Sequence, residues 1–153
     1  MNTAMGIYSQ YCELSQTNYP LDNSLLYTGW ETYPSQASAP SPSYYVTRNL
    51  CSALENVTPD DGKDYFTHNG KELFVFKMKR GDTKLLIFWK RNTVSTECSG
   101  TPVNFELSFE AKKIVAYNCM NGEYTPIDFV AENGKTVILG LLARDYPSII
   151  EIR

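Results

Sequence analysis

The constraint that bears hardest on this chain is a change of hydrophobic period. From Val103 to Phe109 the apolar residues Val103, Phe105, Leu107 and Phe109 take every second position, with Asn104, Glu106 and Ser108 between them. A period of two sends one set to a buried face and the other to water, which is a half-buried strand. The runs Glu72–Met78 and Lys84–Lys90 are apolar at successive positions and predict central strands covered on each face. Ahead of this zone, the stretch Ser43–Val57 repeats at helical spacing, with Val46, Leu50, Ala53, Leu54 and Val57 on one side. Ser41 stands where a cap is needed, Pro42 at the first helical position, and Thr58-Pro-Asp-Asp-Gly62 brings the helix to a stop.

Turn chemistry divides the strand-rich part. Asn69-Gly70, Asn121-Gly122 and Asn133-Gly134 each interrupt a strand-like run, and Asn-Gly readily supplies the two positive φ angles of a type I′ hairpin. With a turn at Gly81-Asp82 and a longer connection at Asn92–Thr101, about eight strands are predicted, near residues 64–68, 71–79, 83–90, 102–109, 113–119, 123–130, 135–141 and 147–152. The expected fold is mainly β, an antiparallel β-sandwich with one N-terminal amphipathic helix. Residues 1–42 read as an irregular arm, 43–58 as a helix packing on the sandwich and 63–153 as the sandwich itself.

A chain of 153 residues can bury a real core without staples, since a domain of this size hides roughly 68–70% of its unfolded surface. Its 14 Lys and Arg against 17 Asp and Glu, a net charge of -3, argue against a nucleic-acid surface. The N-terminus lacks the basic and apolar regions of a signal peptide, and no run approaches the ~20 apolar residues of a membrane span. The sequence assigns no compartment. Cys12, Cys51, Cys98 and Cys119 lie far apart without metal or redox spacing, so they read as structural thiols, and no metal or cofactor is expected.

No catalytic fingerprint is present. Carboxylate pairs need no short motif, so Glu13 and Glu31 in the arm and Glu72, Glu106 and Glu110 beside the strands are the candidates, and all read as solvated side chains. His68, the single histidine, reads as a turn residue, and Arg80-Gly81-Asp82 as a tight turn between two strands. The candidate ligand-binding residues are Tyr27, Trp30 and Tyr33, crowded into one non-periodic stretch. Flat apolar rings with polar edges suit carbohydrate, while the plainer reading is that they pack against the sandwich or the helix.

The segment Pro40–Leu54 (PSPSYYVTRNLCSAL) resembles the last helix of the (β/α)8 barrel in retaining glycoside hydrolases of the β-xylosidase and cellulase-like clan. KLLIFWKRN, KKIVAYNCMNGEYTPIDF and ILGLLARDYPSIIEIR resemble the β-sandwich that often follows such a barrel, and together the likeness spans residues 40–153. It implies a non-catalytic accessory domain of a glycoside-hydrolase-like protein; the alternative is an autonomous carbohydrate-binding module using aromatic side chains. The clan's catalytic carboxylates sit at the C-terminal ends of barrel strands, and a barrel takes about 250 residues, so none is carried over to this chain. The expected partners are carbohydrate and either a barrel domain or a second copy, with the arm of one subunit on the helix or sandwich of the other.

Overall fold

A computed structural model describes residues 26–28, 37–40, 42–91 and 100–153. In chain order the elements are β1 (Leu26–Thr28), β2 (Ala37–Pro40), α1 (Pro42–Ala53), β3 (Thr58–Pro59), β4 (Phe66–His68), β5 (Leu73–Arg80), β6 (Thr83–Lys90), β7 (Thr101–Leu107), β8 (Ile114–Asn118), β9 (Glu123–Pro126), β10 (Phe129–Glu132), β11 (Lys135–Ala143) and β12 (Ser148–Ile152). Strands β3 to β12 form two antiparallel sheets, a six-stranded one ordered β3-β5-β6-β12-β8-β9 and a four-stranded one ordered β10-β11-β7-β4. This is the β-sandwich that the period of two predicted, with more and shorter strands than the expected eight.

Alternation along the strands builds the core. Leu86 and Phe88 of β6 meet Phe105 and Leu107 of β7, Ile138 of β11 and Ile150 and Ile152 of β12 between the sheets. The rings of Phe88 and Phe105 lie 5.1 Å apart across the layer. The intervening residues Leu85 and Ile87 point to the other side of the six-stranded sheet, where Met78, Ile149, Tyr117 and Cys119 join them in a second buried cluster. Strand β6 is therefore buried on both faces, as its unbroken apolar run predicts. Glu72–Met78 is less deeply covered than expected: Leu73 to Lys77 are half-buried and Met78 alone is fully buried.

The second cluster is closed by α1 through Val46, Leu50 and Ala53, with Leu54 and Val57 beyond its end. The helix stops at Ala53, short of the expected 58. One further α-type bond runs from Leu54 N–H to Leu50 O (3.0 Å), and then Val57 N–H bonds Leu54 O (3.2 Å). Asn56 takes the left-handed conformation (φ 58°), which ends a helix, and Pro59, unable to continue one, pairs with Met78 as part of β3.

Three side chains fix α1 to the sandwich. Asn49, buried within the helix, donates from its amide to Cys119 O (2.9 Å), and the Tyr117 hydroxyl donates to Asn49 O (3.3 Å). One turn further on, the Arg80 guanidinium donates to Ala53 O, capping the helix C-terminus. The arm is also not wholly irregular, because β1 and β2 pair within it as a small antiparallel sheet with Leu26 opposite Pro40.

Asn133 and Gly134 have φ of 54° and 76° and are closed by the Glu132–Lys135 pair, the two-residue I′ pattern. Gly122 (φ 75°) closes the β8–β9 hairpin by donating to Asn118 O (2.8 Å). The hairpin expected at Asn69-Gly70 does not form, since β4 and β5 belong to different sheets. Phe66 and Leu73 enter the same core from opposite layers, so the chain must cross between sheets here. Asn69 instead lengthens the β4–β7 pairing, its side-chain oxygen accepting from Asn104 N–H (2.8 Å). The expected strand 123–130 likewise breaks, with β9 in one sheet and β10 in the other, so that Ile127 and Phe129 both pack on the core.

Candidate functional site

Of the aromatic residues singled out in the sequence, Tyr27 lies in β1 opposite Ala39. Trp30 and Tyr33 lie outside the described residues, as do Glu13, Glu31, Cys12 and Cys98. Glu72 sits exposed in a left-handed turn position (φ 52°). Glu106 pairs with Lys135 at 2.5 Å, and Glu110 accepts from Gly134 N–H at 2.8 Å. His68 ends β4 and stacks on Phe66 with ring centroids 6.2 Å apart. Among the described residues no three His, Cys, Asp or Glu side chains gather as a metal site needs, and no helix is long and apolar enough to cross a membrane.

The Arg-Gly-Asp triplet is built into the frame. Gly81 takes φ 56° at the first central position of the β5–β6 turn, closed by the Arg80–Thr83 pair. Arg80 turns back under the helix, where besides Ala53 O it meets Glu151 at 3.4 Å. Glu151 shares its face of β12 with Ile149 by alternation, and its carboxylate, 8% exposed, also meets Arg153 at 3.4 Å. A carboxylate this deep needs its cations, because an unpaired buried charge is strongly unfavourable. The chemistry here is that of a helix fastening, and sequence reading missed it because the partners lie 71 residues apart.

Burial also sets the thiols apart. Cys51 is exposed on α1, whereas Cys119 is buried in the second cluster, and burial pushes its thiol from 9.0 up to about 12. Tyr65 and Tyr117 are raised too, chiefly by burial. A group whose folded pKa lies above its unfolded value contributes stability that is intact below the unfolded pKa and lost as pH rises through the folded one. Stability is therefore expected to fall between pH 9 and about 12, and Cys119→Ala to flatten that fall. Urea titrations across the interval check this; an identical decline in the variant would count against a buried thiol.

Besides an opening of about 410 Å³ beside Gly70, Leu73 and Pro102, two concave features bear on the site. A groove of about 470 Å³ opens where β2 passes into α1, between Pro40, Pro42, Tyr45 and Arg48 on one side and Met120 and Asn121 on the other. A cleft of about 310 Å³ lies at one end of the sandwich between the sheets. Its origin is a bulge in β11: pairing passes from Ile138–Phe105 to Leu141–Val103, so β11 carries one residue more than β7. Gly140 absorbs the bulge at φ 69°, its N–H bound by the Asn104 side chain (2.9 Å). Bulges bend a strand and re-aim its side chains; here Leu139 is turned outward, 64% exposed, and Leu141 is returned to the core.

The outward face of the four-stranded sheet carries Val130, Leu139 and Leu142, exposed by 54%, 64% and 41%. Val130 faces Val137 and Leu142 faces Pro102 in the register, so the apolar side chains form one stripe.

No family model matches the sequence, and no curated protein matches it. Among solved structures, α-L-fucosidase isoenzyme 2 from Paenibacillus thiaminolyticus is similar over 58% of this chain, at 10% identity and a TM-score of 0.43. The matched part amounts to 15% of that protein's length.

Proposed function

We propose that the chain acts as a non-catalytic accessory β-sandwich of a glycoside-hydrolase-like protein, whose task is to cover apolar surface on another protein body. The observation that carries this reading is the union of α1 with the sandwich. The helix gives its apolar side to the six-stranded sheet and is fastened in its C-terminal half, by Asn49 and, one turn later, by Arg80 at Ala53 O. Helix and sandwich thus form one packed unit, the arrangement implied by the resemblance of residues 40–153 to a final barrel helix and the domain that follows it.

The stripe of Val130, Val137, Leu139 and Leu142 supports the covering role, since contiguous exposed apolar patches mark interaction surfaces. Without another body to cover, the pure chain is expected to self-associate through it, as a two-fold dimer in the simplest case. Sedimentation across micromolar concentrations tests this. The wild type should shift from monomer to dimer, and Leu139→Glu should hold it monomeric at every concentration. A wild type that stays monomeric throughout, or a Leu139→Glu variant that still dimerises, would count against the stripe.

A further inference from the structure

We propose that the cleft between the sheets is a binding site for a small hydroxylated carboxylate of monosaccharide size, a sugar acid. The cleft is mixed in character. Phe88, Leu141 and Ile150 supply an apolar floor, while Asn118, Thr125, Ser148 and Arg144 supply polar groups around it. Ligand sites have this composition, apolar walls with a few placed polar groups, and about 310 Å³ is at the small end of their range. A single sugar ring suits such a space better than a chain of them.

Charge decides the ligand's class. Among the described residues Arg144 is the only charged one lining the cleft, and it makes no ion pair with any of them. Its guanidinium carbon lies 5.7 Å from the centre of the Tyr146 ring, a contact that holds the group without neutralising it. A guanidinium without a carboxylate partner among the described residues, beside an apolar floor, favours a planar carboxylate, which it grips with two parallel hydrogen bonds. Thr125 and Ser148 then provide donors and acceptors for ring hydroxyls, and Asn118, whose side-chain oxygen accepts from Met120 N–H (2.9 Å), provides amide donors. The bulge at Gly140 leaves the mouth open, because even an added Cβ there would meet nothing within 4 Å.

The test is titration of the full isotope-labelled chain with sodium galacturonate and, separately, with the neutral methyl β-galactoside, followed by amide shifts. Saturable shifts at Asn118, Thr125, Gly140 and Ser148 are expected with galacturonate. The neutral sugar should bind at least about tenfold more weakly, the worth of one charge-assisted contact. Arg144→Gln should lose the same factor for galacturonate while leaving the neutral sugar unaffected. Should that variant fail to fold, the comparison of the two sugars on the wild type decides alone. Absence of shifts at those amides with galacturonate, or equal binding of the two sugars, overturns the proposal.

Discussion

Phe105→Ala is expected to lower the unfolding free energy by about 3–5 kcal/mol, the usual range for emptying a large aromatic site in a core. Phe105 is 1% exposed and lies at the centre of the layer between the sheets. Its ring stands 5.1 Å from Phe88, 6.1 Å from Phe66 and 5.7 Å from His68. Truncation therefore leaves a cavity bounded by both sheets and also unseats the short strand β4, whose Phe66 and His68 lean on this ring. Domains are stable by only about 5–15 kcal/mol, so the change removes much of the total. Val130→Ala, by contrast, alters a side chain that is 54% exposed and should stay within about 0.5 kcal/mol. Urea unfolding followed by circular dichroism separates the two; comparable losses would mean that the sheets do not face each other as described.

Arg80→Met is the second large effect, expected at about 2–3 kcal/mol. Removing one partner of a buried ion pair typically costs 3–5 kcal/mol. The lower figure applies because the Arg80 side chain is 35% exposed and Glu151 keeps Arg153 as a second partner. The helix also loses its C-terminal donor at Ala53 O. Because the penalty comes from stranding the carboxylate, Arg80→Met combined with Glu151→Met should recover to within about 1 kcal/mol of the wild type. Additive losses in the double variant would show that the two side chains act separately.

These two positions also show what could be seen in the sequence. Phe105 sits in a strict alternation, and alternation is a local property, so its burial was legible. The same holds for the helical stripe of Val46, Leu50, Ala53 and Leu54 and for the two-sided burial of β6. Arg80 was legible as the flank of a turn, because Gly81 announces the turn. Its role was not, because Glu151 is brought to it by the pairing of β6 with β12. Asn69-Gly70 carries the same dipeptide as Asn133-Gly134 and ends differently, since a dipeptide specifies a bend and not the sheet that the chain enters next. The cleft depends on one extra residue in β11 relative to β7. Within Ile138-Leu-Gly-Leu-Leu142 the glycine hinted at an irregularity, but the offset appears only once two strands from distant parts of the chain are aligned. The aromatic residues Tyr27, Trp30 and Tyr33 stand out in the sequence by crowding alone, a signal that says nothing of which surface they meet.

Incubation of the pure chain with a panel of aryl β-glycosides tests the non-catalytic reading most directly. Among the described acids, Glu106, Glu110 and Glu151 are held by Lys135, by the Gly134 backbone and by two arginines. The expected result is release of aryl alcohol no faster than in buffer at any protein concentration. Turnover proportional to protein, and lost in Glu13→Gln or Glu31→Gln, would contradict the reading and make the chain a hydrolase in its own right.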